Sequence, residues 1–351
     1  MRTSKYASLA VSIGIALLIS GISGCLPGPY CVGEPDSLFS EYHLMWDMVN
    51  SHYACFFAKE DVDWDQSLQT YKSAAENLKN ETELFDLCLE LMGELEDQNL
   101  SIRNSVGTRL ESWNQGAFVN WTYEVWRRYI ESYSPDTVVV FHAYGAITFK
   151  PTNYDTLGYM YISDLGDGYG ISSFYNMTYV IKDCRGLILD LRMCSESGSA
   201  YNAYTACGRF IKVRELGYYE VFRTGPGRND MGEMRGVLAS RNASWQYTEP
   251  IVLLTGRGTQ GAAEQLVLLL RTQQHVTVIG DTTAGFANPA VSFNLTNGCT
   301  IEIPEMVTYS PDTTLILNSG IAPDIFIPVS EADLEAGVDP VFDAALGIIT
   351  Q

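Results

Sequence analysis

The stretch PIVLLTGRGTQGAAEQLVLLL, residues 250–270, decides the fold. Five apolar or β-branched residues after Pro250 predict a buried strand. The glycines at 256, 258 and 261 predict a tight turn, and the alanine- and leucine-rich run that follows predicts a buried helix. In many hydrolases a strand–turn–helix of this kind carries the nucleophile and forms the oxyanion-binding N–H groups beside it. The position facing that site here is Gly261, which has no side chain.

Outward from this unit, the same pattern continues. Residues 251–255, the helix of residues 261–271 and residues 276–280 form a strand–helix–strand unit, which predicts parallel strands with a right-handed crossover. Residues 186–192 (GLILDLR) are a second continuous apolar run, as expected of a strand covered on both faces. Short β-rich segments at 137–141, 146–149 and 157–163 precede it. Residues 323–328 and a helical tail over 341–349 close the domain. Between 103 and 136 the signal is mixed, with aromatic residues and little period. Before that, Leu38, Tyr42, Met45, Val49, Tyr53 and Phe56 repeat at spacings of three and four, one face of a helix. Asp63-Trp64-Asp65-Gln66 predicts a capping box opening a second helix to about Lys79, and Thr82 is a candidate cap for a third, whose face is Leu84, Cys88, Leu91 and Leu95. The apolar faces of these helices must pack on one another or on the next domain. The reading divides the chain into a signal (1–24), a tether (25–36), a helical N-terminal unit (37–102), a connecting region (103–136) and an α/β domain (137–351).

The first 24 residues have Arg2 and Lys5 ahead of an apolar run over 9–19, the pattern of a secretory signal and too short for a comfortable membrane span. Ile22-Ser23-Gly24-Cys25 resembles the lipobox of prokaryotic lipoproteins, which implies that Cys25 is lipidated and tethers the chain to a membrane surface. An ordinary signal peptide with a chance cysteine is the alternative. Pro27, Gly28, Pro29, Gly33 and Pro35 then make a short, stiff tether. The expected location is the cell envelope, periplasmic or outer surface.

The chain has 351 residues, 46% of them hydrophobic, enough for one large domain or two ordinary ones. Its net charge is −20, and removing Arg2 and Lys5 with the signal takes it to −22. Such acidity argues against nucleic acid as a partner, since phosphate binding needs a basic face. Cys31, Cys55, Cys88, Cys184, Cys194, Cys207 and Cys299 follow Cys25; export permits disulfides, but an odd number leaves one unpaired in the monomer. There is no CxxC and no HExxH, and His43, His52, His142 and His275 form no ligand-spaced pair. No metal site and no cofactor are expected. Sequons such as Asn80-Glu81-Thr82 and Asn120-Trp121-Thr122 matter only in a host that glycosylates exported proteins.

Several segments in order resemble one family: Trp64-Asp65, Leu95-Glu96-Asp97, the strand at 158–162, the GLILDLR strand, Thr259-Gln260-Gly261-Ala262-Ala263-Glu264, the segment 280–285, and Gly320-Ile321-Ala322-Pro323-Asp324. From about residue 38 to the C-terminus the chain resembles the tail-specific (C-terminal-processing) serine peptidases, in the branch similar to the tricorn protease core, without a PDZ insertion. The resemblance implies an α/β fold in which a small N-terminal helical unit precedes a crotonase- or ClpP-like β-α-β core domain. It also implies serine-peptidase chemistry on peptides.

The family's functional positions are altered. Glu264 fixes an alignment in which Gly261 occupies the place of the attacking serine. Phe286 stands where some relatives have a lysine base. Asn99 stands where the other branch has its histidine, and Leu317 where that branch has a glutamate. The oxyanion turn after Arg192 lacks the family's asparagine and paired glycines. Acyl transfer needs a nucleophile, a base and oxyanion donors; Gly261 offers no oxygen, Asn99 cannot take a proton, and Leu317 cannot orient a base. Two replacements for the nucleophile merit attention, Thr259 and Cys194. Helix capping is the plainer role for Thr259, and structural pairing for Cys194. His142 and His275 fit core or edge positions, and Arg192 fits a pairing with an acidic neighbour. The expectation is an exported lipoprotein that has lost peptidase activity and binds a peptide or unfolded protein segment through Gly198, Gln260 and Gly261. The alternatives are an active serine-, threonine- or cysteine-type peptidase with relocated residues, and a structural surface protein.

Overall fold

The computed structural model describes residues 37–351 except 114–115, 134–136, 142–143, 152–153, 167–170, 195–197 and 296–297. The signal, Cys25, the tether and His142 therefore lie outside the described residues. Three helices come first: α1 (Leu38–His52), α2 (Trp64–Ala75) and α3 (Glu81–Gly93). There follow β1 (Ser101–Arg103), β2 (Arg109–Glu111), α4 (Tyr123–Ser132), β3 (Thr137–Phe141), β4 (Tyr144–Phe149), β5 (Leu157–Ile162), α5 (Ile171–Ile181), β6 (Leu187–Asp190) and α6 (Ala200–Cys207). Next are β7 (Glu215–Phe222), β8 (Arg235–Ala239), β9 (Ile251–Thr255), α7 (Ala262–Leu270) and β10 (Val276–Gly280). The chain ends with β11 (Ala290–Asn294), β12 (Thr300–Pro304), β13 (Met306–Tyr309), β14 (Ile325–Phe326), α8 (Glu331–Glu335) and α9 (Pro340–Ile349).

A seven-stranded sheet in the order β14-β10-β9-β6-β5-β4-β3 is the centre of the molecule. The strands from β5 to β14 run parallel, with Val276 opposite Ile251 and Leu187 opposite Ile251, while β3 and β4 are antiparallel additions at one edge. The apolar runs are explained by burial on both faces. Leu187 and Leu189 of β6, with Ile251 and Leu253 of β9, join the core that holds α5, α6 and α7. Their alternates, Ile188, Val252 and Leu254, join the opposite core with Ile130 of α4 and Val341, Phe342 and Ala345 of α9. Helix α7 is buried along its whole length, so it carries no polar face.

The helical unit is knitted to the rest by strand pairing. β1 pairs with β12, Ser101 opposite Glu302, and one apolar cluster contains Tyr42, Val49, Leu84 and Leu91 together with Ile301 and Ile303. A three-stranded sheet, β13-β7-β8, completes the molecule.

Several local expectations are corrected. The cap of α3 is Asn80, whose side chain accepts from the Glu83 N–H at 3.0 Å; Thr82 lies inside the first turn. Helix α1 stops at His52, short of Phe56, because Tyr53 turns to extended backbone and its hydroxyl donates to the buried Asp97 at 2.9 Å. Helix α2 stops at Ala75 rather than near Lys79; beyond it, Asn77 bonds back to the Ser73 carbonyl at 2.7 Å. The mixed region contains α4, capped by Thr122; Val125 and Ile130 are buried, and Trp126 and Tyr129 pack on the core beside Ile130.

Candidate functional site

The turn between β9 and α7 is built against a buried wall. Gly258 lies so close to Arg192 that a Cβ would meet its carbonyl oxygen at 2.3 Å, and a Cβ on Gly256 would meet the Asn120 side chain at 2.0 Å. Only glycine fits at Gly258, where the obstacle is main chain. Gly258→Ala is expected to cost about 1–3 kcal/mol, seen as a lower urea midpoint with an unchanged slope.

Thr259 does not cap the helix. Its buried hydroxyl donates to the Leu191 carbonyl at 3.0 Å and accepts from the Gly256 N–H at 3.1 Å. It closes the turn on itself and ties it to the end of β6. The Gln260 N–H reaches the Cys194 carbonyl at 3.1 Å, and Cys194 itself is buried. The N-cap of α7 is Gly261, at φ 62° and ψ −128°. That positive φ is costly for a residue with a Cβ and free for glycine. Gly198 also has a positive φ, 60°, and a Cβ there would stand 2.8 Å from the Ala262 Cβ. Gly198 is thus in contact with the start of α7.

Glu264 is completely buried three residues into this helix. Its carboxylate accepts from the Thr283 hydroxyl at 2.5 Å and from the Gly285 and Phe286 N–H groups at 2.7 Å each. Burial pushes its pKa up to about 7, while those donors, and the Gly261 N–H, pull the other way. The segment 283–286 is held onto α7 by this one side chain.

Around the turn, the structure brings together residues far apart in sequence. Gln98 donates to the side-chain oxygen of Gln260 at 3.1 Å, next to Gly261. Asn99 is buried and donates from Nδ2 to the Phe286 carbonyl at 3.3 Å, and its own N–H goes to Asp97 at 2.9 Å. Burial raises the pKa of Asp97, against the Asn99 N–H and the Tyr53 hydroxyl. Leu317 packs into the apolar cluster of the helical unit. Its neighbour Asn318 donates from its N–H to the Gly285 carbonyl at 2.8 Å and from Nδ2 to the Glu96 carbonyl at 3.2 Å. Asn99, Phe286 and the Leu317–Asn318 segment therefore adjoin one another.

Arg192 is buried and takes no part in the turn's chemistry. It forms two-pronged pairs with Asp190, at 2.8 and 3.0 Å, and with Asp339, at 2.9 Å on both prongs. The expected acidic neighbour is thus two neighbours. Asp339 also caps α9 through the Phe342 N–H at 3.0 Å, a role that the sequence reading missed, as it missed the Gln98–Gln260 pair.

The histidines have their contacts elsewhere. His43 faces Phe39 and Tyr42, His52 pairs with Glu305, and His275 is half-buried beside Lys212, where burial and then that charge bring its pKa down to about 4. Cys55, Cys88, Cys184, Cys207 and Cys299 are buried free thiols. Among the described residues no group of three or more His, Cys, Asp or Glu is placed to hold a metal ion, and no helix is long and apolar enough to cross a membrane.

The family model of peptidase family S41 matches residues 156–327, the segment that contains β5, β6, β9, α7 and β10, and the tricorn protease C1 domain matches residues 40–93 of the helical unit. The chain belongs to peptidase family S41. An inferred peptidase from Parabacteroides merdae is similar over 90% of this chain and 97% of its own, with a TM-score of 0.73 and 25% identity. A lipoprotein from Streptococcus agalactiae shares the fold over 90% of this chain and 98% of its own, with a TM-score of 0.57 and 14% identity. The photosystem II D1 C-terminal processing protease does so over 88% and 97%, with a TM-score of 0.52 and 13% identity. A comparison with curated proteins gives no match. The S41 fold accounts for the mixed α/β architecture with its helices first, as the sequence implied.

Within this S41 chain, the turn that follows β9 offers an N-cap position without a side chain, a neighbouring carboxamide pair and a buried threonine hydroxyl already committed to main-chain groups. Hydrogen bonding to a peptide is chemistry that these groups can perform. Neither a carboxamide nor a glycine can accept a proton near neutral pH.

Proposed function

We propose that this S41 protein is an exported, lipid-anchored receptor for a peptide or unfolded protein tail, held at the β9–α7 turn without hydrolysis. The observation that carries the reading is Gly261 at φ 62° and ψ −128°: the bend of the turn is kept, and the reactive atom is not there. Asn99 beside Phe286, and Leu317 in the apolar cluster, support it, since neither can act as or orient a base. Gly198, Gln260 and Gly261 are the residues assigned to the peptide, with Gln98 presenting its carboxamide to Gln260. An extended segment is the ligand shape suited to such main-chain and amide groups. The lipobox-like Ile22-Ser23-Gly24-Cys25 and the similarity to a streptococcal lipoprotein support the anchored location.

The test is a pair of measurements on purified protein. Fluorescence anisotropy with labelled unfolded peptides is expected to show saturable binding that weakens roughly tenfold in Gln260→Arg. The same peptides are expected to survive prolonged incubation intact, and a fluorophosphonate probe is expected to leave the protein unlabelled. Gly261→Ser is expected to remain inactive, because a hydroxyl without a base is a weak nucleophile. Turnover by the pure protein that is abolished by Thr259→Ala or Cys194→Ala would establish a relocated peptidase instead. Absence of any peptide binding would leave a structural surface protein.

A further inference from the structure

Beyond the C-terminal end of α7 lies a second concave site, unrelated to the turn. The pocket measures ≈570 Å³, opens to solvent, and is lined by Tyr204, Lys212, Arg214, Ser240 and Arg241. Tyr204 comes from α6, Lys212 and Arg214 from the approach to β7, and Ser240 and Arg241 from the exit of β8. The antiparallel pairing that sets Glu215 opposite Ala239 brings these two segments side by side.

Three features set this cluster apart. First, the lining has three cations and no carboxylate, in a chain whose net charge is −20. Second, among the described residues none of the three cations has a carboxylate within 4.0 Å, although Arg192, Arg228 and Arg109 elsewhere do. Glu215, the residue after Arg214, is not part of the lining. Third, the pocket is braced. Buried Gln273 accepts from the Lys212 and Val213 N–H groups at 2.8 and 2.9 Å and donates to the Val213 carbonyl at 2.8 Å. Arg241 is pinned to the Lys212 carbonyl, and Asn242 to the Tyr204 carbonyl at 3.0 Å. Unpaired like charges held together this way repel one another, so the arrangement raises the energy of the empty site and favours an anion.

We propose that this pocket binds a tetrahedral phosphate group, held by Lys212, Arg214 and Arg241 with hydroxyl contacts from Tyr204 and Ser240. Three cations around one cavity suit the several acceptor oxygens of a tetrahedral phosphate better than a single planar carboxylate. The guanidinium groups supply forked donors and the lysine a point charge. The source of the group is a soluble phosphate-bearing molecule or the headgroup of an anionic phospholipid at the surface to which the chain is exported.

The full chain would be titrated with inorganic phosphate by calorimetry, with acetate as the monovalent control. In parallel it would be floated with phosphatidylcholine vesicles, with and without phosphatidylglycerol. Saturable phosphate binding, stronger than acetate binding and weakened roughly tenfold in Arg214→Gln/Arg241→Gln, is the expected result. Arg214 and Arg241 are exposed, so the variant is expected to keep its unfolding midpoint and its peptide affinity; Lys212→Gln alone serves as a second variant. Extra flotation on phosphatidylglycerol that the variants lose assigns the lipid source, and phosphate binding without it assigns the soluble one. No saturable binding of either probe, acetate binding equal to phosphate, or variants that bind like the parent would overturn the proposal.

Discussion

Replacing Arg192 by methionine is expected to destabilise the protein by about 3–5 kcal/mol, the typical result of removing one partner from a buried ion pair. Asp190 and Asp339, on either side of it, are themselves buried. Without the guanidinium, two carboxylates would face each other away from water. Their remaining bonds do not replace it: Asp190 keeps the Tyr159 hydroxyl at 2.9 Å, and Asp339 keeps the cap of α9. Because Asp339 begins α9 and α9 covers one face of the sheet, the damage reaches the core. A domain is stable by only about 5–15 kcal/mol, so this loss is a large share of the total. Urea unfolding followed by circular dichroism would measure it. Arg192→Lys is expected to recover only part of the loss, since one ammonium cannot reproduce two forked pairs. Unfolding midpoints equal to the parent's for both variants would contradict the account.

Glu264→Gln is the second large effect, and its signature is in pH. The Glu264 pKa is about 7 in the folded protein, against about 4.3 for an unperturbed glutamate. A raised folded pKa means that folding takes up a proton. The stabilisation from this group is complete below pH 4.3 and is lost as pH rises through 7. The loss over that window is about 3 kcal/mol. Glutamine does not titrate, so the stability gap between parent and variant is expected to be widest near pH 4 and to narrow by about that amount at pH 7.5. A constant cost of about 1–3 kcal/mol is added at all pH values. It arises because the amide –NH2 must face either the Phe286 N–H at one oxygen position or the Gly285 N–H and Thr283 hydroxyl at the other, all of which donate. Parallel pH profiles for parent and variant would refute the assignment.

The legible parts of this protein are those in which one residue pattern has one physical solution. The runs 187–189 and 251–254 are apolar at every position because both faces of the central sheet are covered, and α7 shows no residue to solvent because it is enclosed. Those features place the strand–turn–helix and the parallel unit from the residues alone. Helix α4 is hard to read because its inner face is made of aromatic and β-branched residues, Trp126, Tyr129 and Ile130, which favour helix weakly; Asn80 caps α3 in place of Thr82 because it lies two residues earlier and fits the same role. In the candidate site, Gly261 was evident because it stands in a recognisable turn. The Gln98–Gln260 contact and the Arg192–Asp339 pair join positions 162 and 147 residues apart, and no local pattern encodes such distances. Glu264 could be found as an anchor of the motif, but its charge state depends on burial that only the packed structure supplies.

The pairing of β1 with β12 also governs how the chain can be made. Ser101 meets Glu302 across two hundred residues of sequence, and the apolar cluster of the N-terminal helices is finished by Ile301 and Ile303. Contacts of such long sequence separation form late and slow folding. The first helices to emerge from synthesis must wait, with Leu84, Leu91 and their neighbours incompletely covered, until nearly the last fifty residues arrive. Truncation before residue 300 is therefore expected to leave the front of the protein without its lid of strands, and the interval before those strands arrive is the stage at which this fold is most vulnerable.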